Sequence, residues 1–345
     1  MRIFCIRFFS VFSLLFGGVY ATEYKLIALD LSGEHSSVHS INDQGQIVGT
    51  LSKEGKDYIF FWDPKTGSNV VETDLGNAFI AKINNAGTVF FSRAFCGKGD
   101  VYIRVFEWDN PWSNTQFQEL DLHTENAQKY RLMQFNINDI GQVLLVYESR
   151  ESDWKHYWKN YVYENGNLNL IKSPEPVMGM AINNNSQIAG VNLTIEGFQA
   201  VVYDYKDRKT YTFDEPNGAI FFDINDKGQV LGNLVLSATN GSFLGNLENT
   251  DRIILNNIFG TKMNNHGQIV GILTPSGVLN IQHRTVGVIW DNGNETKLSD
   301  ISLVDDKGHT WDSLDALYDI NDQGQIVGNG TYNGEQHGFL LIPVK

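Results

Sequence analysis

Apolar and polar positions alternate in short runs along most of the chain. Tyr58-Ile59-Phe60-Phe61-Trp62 is one such run, closed by Asp63-Pro64-Lys65-Thr66-Gly67. β-Branched and aromatic residues suit a pleated, half-buried surface, and Gly, Pro, Asn and Asp between them reverse the chain. No segment keeps a helical apolar period over a helical length. The pattern predicts an all-β protein made of short strands.

The turns repeat. Seven nonapeptides align without gaps: Ile41 to Gly49, Ile83 to Phe91, Ile137 to Leu145, Ile182 to Gly190, Ile224 to Gly232, Met263 to Gly271 and Ile320 to Gly328, typified by INDQGQIVG. Their spacings of 42, 54, 45, 42, 39 and 57 residues average 46.5, and the 324 residues after Ala21 divided by seven give 46.3. The repeats therefore account for residues 22–345 as one domain. Each nonapeptide reads as a tight hairpin, because Asn accepts a bond from the chain two residues on and Gly takes the left-handed conformation that closes the turn. The pairs Asn42 and Gly45, Asn84 and Gly87, Asn138 and Gly141, Asn225 and Gly228, Asn264 and Gly267, and Asn321 and Gly324 fill these places. The fourth copy has Asn183 but Ser186 in place of Gly, at a strain of roughly 1 kcal/mol. A looser or differently shaped hairpin is expected there.

Around each nonapeptide the sequence has room for four strands, and four-stranded repeats of this period are propeller blades. The predicted fold is a seven-bladed β-propeller of four-stranded blades. The last copy stops after its third strand, His337 to Ile342, whereas the chain opens on an orphan strand, Tyr24 to Leu31. The N-terminal strand is expected to complete the last blade, since an open ring would expose two edges.

Composition adds a compartment. Arg2 and Arg7 precede an apolar stretch from Phe8 to Val19 and a small-residue cleavage site at Val19-Tyr20-Ala21, so residues 1–21 read as a secretory signal peptide. A secreted or periplasmic location follows, with no membrane span after cleavage. Cys5 leaves with the signal and Cys96 remains without a partner, which excludes a disulfide framework. Loss of Arg2 and Arg7 leaves 24 Lys plus Arg against 40 Asp plus Glu, a net charge of −16. So acidic a surface repels phosphate backbones and excludes nucleic acid as a partner. A monomer is expected.

The seven nonapeptides, with the ending GQIVG followed nine residues later by His337-Gly338-Phe339-Leu340-Leu341, resemble the HAF repeat family of extracellular bacterial proteins. The segment Leu303 to Gly328, with Trp311 ahead of the final nonapeptide, is similar to that family's usual last repeat. In the first six copies the His-Ala-Phe triplet is degenerate or absent. The resemblance implies export and repeat architecture, and transfers no catalytic residue.

Catalytic and metal signatures are missing from the sequence. The Asp223 to Gly228 and Asp319 to Gly324 segments place oxygens at two positions of a calcium loop, but Lys227 takes a ligand place and no Glu follows at the twelfth position, so both read as structural turns. Eight scattered histidines form no His-Glu-x-x-His, and His35 and His39 lie in a loop and strand instead of a helix. No metal, cofactor or nucleophile elbow is predicted. Loop length is more telling, because links between blades and from second to third strands leave one face, opposite the Asn turns. The two largest insertions, His123 to Arg131 and Leu303 to Asp315, fall there. Trp311, His309 and Asp312 in one insertion, and Trp154, Arg150 and Asp153 in a second-to-third link, are the candidate ligand-binding residues. A Trp flanked by acids stacks on a sugar face while the carboxylates bond its hydroxyls; the competing reading makes both Trp residues blade packing. The sequence thus points to an exported, non-catalytic binding or scaffold protein for a glycan, peptide or protein. The alternative is a glycosidase-like propeller hydrolase with axial carboxylates.

Overall fold

The computed structural model describes residues 22–29, 35–71, 78–97, 100–109, 111, 117–120, 122, 130–149, 158–173, 177–194, 196–213, 215, 218–235, 241–274 and 286–344. The signal sequence, Arg150, Asp153 and Trp154 lie outside these residues.

Seven four-stranded antiparallel sheets form the ring of a seven-bladed propeller. The first strand of each blade faces the axis: His35–Ile41, Ala78–Ile83, Tyr130–Ile137, Val177–Ile182, Ala219–Ile224, Ile258–Met263 and Ser313–Ile320. The seventh sheet runs Ser313–Ile320, Ile326–Tyr332, Glu335–Pro343 and then Tyr24–Ala28, with Tyr24 opposite Pro343 and Ala28 opposite Phe339. The N-terminal strand thus closes the ring as the sequence predicts. Among the described residues no helix is long and apolar enough to cross a membrane.

Seven apolar clusters, one between each pair of neighbouring blades, hold the ring together. Successive strand residues point to opposite faces, so Ile47 packs against Val327 and Leu340 of the seventh blade, and Val48 against Ala81 and Phe91 of the second. Both are fully buried. This two-sided burial is why the second strands read as continuous apolar runs.

All seven turns share one backbone geometry. In the first, Asn42 N–H donates to Gln46 O at 3.0 Å and Gly45 N–H to Asn42 O at 2.9 Å. The fourth turn has the same two bonds, Asn183 to Gln187 at 3.1 Å and Ser186 to Asn183 at 3.0 Å, with Ser186 at φ 64° beside 76° for Gly45. The expectation of a looser fourth hairpin is therefore corrected. Ser186 is fully buried, and its hydroxyl donates to Gln142 Oε1 of the third blade at 2.9 Å, which offsets the left-handed strain.

The ninth residue of the nonapeptide decides where the inner strand bulges. Where it is Gly, the register slips two residues before the turn's first apolar residue: at His39, Met180, Phe222, Thr261 and Tyr318. A Cβ on Gly49, Gly190, Gly271 or Gly328 would overlap the carbonyl oxygen of Ser37, Met178, Phe259 or Ala316, and one on Gly232 the ring of Phe243. Phe91 and Leu145 carry side chains at this place, and in their blades the slip moves two residues farther from the turn, to Phe79 and Met133.

Candidate functional site

The seven turns converge on the axis and line a funnel of about 170 Å³ with their Ile-Asn-Asp or Ile-Asn-Asn triplets. Two rings of hydrogen bonds surround it. In the upper ring the buried turn Asn residues that have a Gln four places on use both ends of the carboxamide. Asn42 Oδ1 accepts from the N–H groups of Gln44 and Gln46 at 3.1 and 2.9 Å, while Nδ2 donates to Gln46 Oε1 at 2.8 Å and to Asn84 O of the next blade at 3.1 Å. Such blade-to-blade bonds also run from Asn138, Asn183, Asn225 and Asn264, and Asn321 donates to Asn42 O at 2.8 Å across the chain ends. The turn's Gln passes the network outward, as in Gln46 Nε2 to Asp63 Oδ2 at 2.9 Å.

The lower ring is made by the third residue of each nonapeptide: Asp43, Asn85, Asp139, Asn184, Asp226, Asn265 and Asp322. Every one donates its backbone N–H to Oδ1 of the next blade's residue at 2.8 Å, and Asp322 to Asp43 completes the circle. Amide groups bridge carboxylates, so Asn184 Nδ2 donates to Asp139 Oδ2 at 3.1 Å and to Asp226 Oδ2 at 2.8 Å. The alternation of Asp and Asn was legible in the sequence and sequence reasoning missed it. Because seven is odd, Asp322 and Asp43 meet as like neighbours. Burial, and then the charges of Asp322 and Asp139, push the Asp43 carboxyl up against the hydrogen bonds that favour its ionised form.

Next to the funnel stands a belt formed by the residue preceding each nonapeptide, Ser40, Lys82, Asn136, Ala181, Asp223, Lys262 and Asp319, of which Ala181 packs into the apolar cluster between the fourth and fifth blades. Both carboxylates are turned into the wall. Asp223 accepts Met263 N–H at 2.9 Å and pairs with Lys262 Nζ at 3.4 Å; Asp319 accepts the Ser40 hydroxyl at 2.8 Å, Ile41 N–H at 3.1 Å and Ile320 N–H at 3.0 Å. Burial works against the charge on Lys262, but Asp223 and Asp319 outweigh it and hold its pKa up. Lys82, in the second blade, is pushed down to about 8 by burial and by Lys262 of the sixth, a coupling that operates across the axis. Beside it, His39 is pushed down to about 4 by burial and by Lys82, and its Nδ1 accepts Ala81 N–H at 3.1 Å. The residues of this belt were also missed, although they differ from blade to blade where the flanking nonapeptide repeats.

On the opposite face, the linker between the sixth and seventh blades carries three of the predicted binding residues. Trp311 is 4 % exposed, packs against Tyr332 and Phe339, and donates its indole N–H to Asp305 Oδ2 at 3.1 Å. No free ring face remains for a sugar, and the placement is that of blade packing. Burial disfavours the Asp305 charge, yet bonds from His309, Trp311 and Lys307 hold its carboxyl below the usual range. Asp312 Oδ2 accepts Gly334 N–H at 2.9 Å, a loop clasp. His309 stays half-exposed, with its ring 5.7 Å from Tyr332, which in turn lies 6.1 Å from His337. The structure thus groups His309 with Tyr332 and His337, two residues that were not predicted as site residues.

No family model and no curated protein matches the chain. Solved structures match over nearly its whole length. An oligogalacturonate lyase in complex with manganese has a TM-score of 0.61 at 11 % identity, covering 94 % of this chain and 97 % of that one. Virginiamycin B lyase from Staphylococcus aureus has 0.57 at 9 % identity, covering 93 % and 100 %. The β-propeller domain of the Trilobed protease from Pyrococcus furiosus has 0.55 at 12 % identity, covering 88 % and 97 %. At such identities the likeness is one of fold, and it carries no chemistry to this chain.

Proposed function

We propose that the chain acts outside the cytoplasm as a non-catalytic binding or scaffold module of the HAF repeat type, presenting its loop-bearing face to a glycan, peptide or protein. The observation that carries this reading is the state of the axial carboxylates. Glycoside hydrolysis needs one carboxyl as proton donor and a second, about 5–10 Å away, free to act as base or nucleophile. Here Asp43, Asp139, Asp226 and Asp322 each accept a backbone N–H on one oxygen and an Asn amide on the other, while Asp223 and Asp319 fasten neighbouring blades. Carboxylates held in this way serve as struts. Export is supported by Arg2, Arg7 and the apolar stretch to Val19.

The test is a glycan and peptide array probed with residues 22–345 and with His309→Ala and Trp154→Ala variants, followed by mass spectrometry of any retained ligand. Retention of an unaltered ligand, weakened in either variant, is expected. Turnover of the ligand, or equal retention by all three proteins, would remove the reading.

A further inference from the structure

The belt inside the tunnel has a use that the loop-face reading does not touch. Its residues vary in charge from blade to blade although the flanking sequence repeats, so the repeat itself does not dictate them. Three of its four charges are committed. Lys262 is paired with Asp223, and the Asp223 carboxylate is 9 % exposed against 27 % for the Lys262 side chain, so the carboxylate faces the wall and the ammonium faces the bore. Asp319 is held by three donors from its own and the next blade.

Lys82 is the exception, since its ammonium has no hydrogen-bond or ion-pair partner among the described residues. The neighbouring imidazole of the first blade offers nothing, because the Nδ1 acceptor of His39 is occupied by Ala81 N–H. An ammonium carries three donors, and Lys82 is part-exposed, so those donors are open to a solute. With Lys262 beside it, the complementary species is one that brings negative oxygen atoms. We propose that the axial tunnel is a binding site for a small oxyanion, a carboxylate or phosphate group, held by the Lys82 ammonium with Lys262 as second donor. Burial, and then the charge of Lys262, depress the basicity of Lys82 and outweigh the opposing charges of Asp319 and Asp223. Four carboxylates ring the mouth on the Asn-turn face and repel an anion there.

The experiment uses residues 22–345 with lysines labelled by reductive ¹³C-methylation, Lys82 being assigned from Lys82→Gln. Acetate and inorganic phosphate are titrated in separate arms, with calorimetry on unlabelled wild type and both Lys82→Gln and Lys82→Arg. Without anion the Lys82 signal should titrate near 8. With the matching anion it should move saturably and its titration should rise by about one unit, and Lys82→Gln should bind at least about tenfold more weakly than wild type. The arm that responds identifies the group. A Lys82 signal indifferent to both anions overturns the proposal, as does equal binding by wild type and Lys82→Gln. Should Lys82→Gln fail to fold, Lys82→Arg, which keeps the charge, together with the wild-type titration decides. Array binding at the loop face is read separately, so either inference fails without the other.

Discussion

Gly190→Ala is the sharpest test of the link between the ninth repeat residue and the bulge. The added methyl would overlap the Met178 carbonyl oxygen and stand 3.0 Å from Gly179 Cα, both backbone atoms that no rotamer change removes. The inner strand must then shift by something like 1 Å or surrender its bulge. Overpacking of this kind costs about 1–3 kcal/mol, and loosening the strand at Gly179 sacrifices roughly two ladder bonds worth about 1 kcal/mol each. Reduced chain entropy in the unfolded state returns about 0.5–1 kcal/mol. The net expectation is a loss of about 2–4 kcal/mol. Gly245→Ala is the control, because its methyl would meet only the side chains of Val230, Phe243 and Phe213 at 3.3–3.6 Å, and should cost less than about 1 kcal/mol. Equilibrium urea unfolding, followed by tryptophan fluorescence and circular dichroism with a shared m-value, measures both. A Gly190→Ala protein as stable as Gly245→Ala would refute the reasoning.

Three further outcomes follow from the same geometry. Ser186→Ala keeps the left-handed strain and loses the bond to Gln142, and should cost about 1–2 kcal/mol, whereas Ser186→Gly trades that bond for relief and should lie about 1 kcal/mol above the Ala variant in the same urea assay; equal midpoints for the two variants count against it. His39 has a folded pKa of about 4 against 6.5 unfolded, so the unfolded chain binds more protons between those values and stability falls as pH drops through them, by at most about 3 kcal/mol. His39→Asn keeps an acceptor for Ala81 and should flatten that part of the stability curve; parallel curves would contradict the assignment. Asp43 has the opposite sign, since its raised folded pKa gives stability that is present in acid and lost as pH rises through that pKa. Asp43→Asn should therefore gain in Tm relative to wild type on going from about pH 4 to about pH 7, and an unchanged difference would show that the seam carries no proton-linked cost.

The architecture was legible because its chemistry is local. An Asn and a left-handed residue at fixed places make a hairpin wherever they occur, and seven evenly spaced hairpins leave little choice of fold. What the sequence hid was everything that the ring creates. The second amide hydrogen of Asn42 has a partner only once Asn84 O stands beside it. The third repeat residue becomes one of a circle only when residues about forty apart are neighbours. Lys82 emerges without a hydrogen-bond or ion-pair partner among the described residues only once Asp223 has been taken by Lys262. The acids near Trp311 were read as partners for sugar hydroxyls, but Asp305 caps the indole and Asp306 accepts Ala28 N–H at 3.2 Å, a bond between residues 278 apart that no local pattern announces.

A circuit of seven stations coloured in two alternating shades must repeat a shade once, and here the repeat falls where station seven meets station one. The Asp322 and Asp43 junction is held by main-chain donors, by the Asn321 amide on Asn42 O and the Ser40 hydroxyl on Asp319, and by the chain itself, which leaves the borrowed strand at residues 24–28 in the seventh blade for His35 in the first. Had the closing strand belonged to any other wedge, the like pair and the borrowed edge would fall at different seams. Circular permutation would separate the two contributions, the like charges and the non-covalent closure of the seventh blade, which the natural order of the chain superimposes.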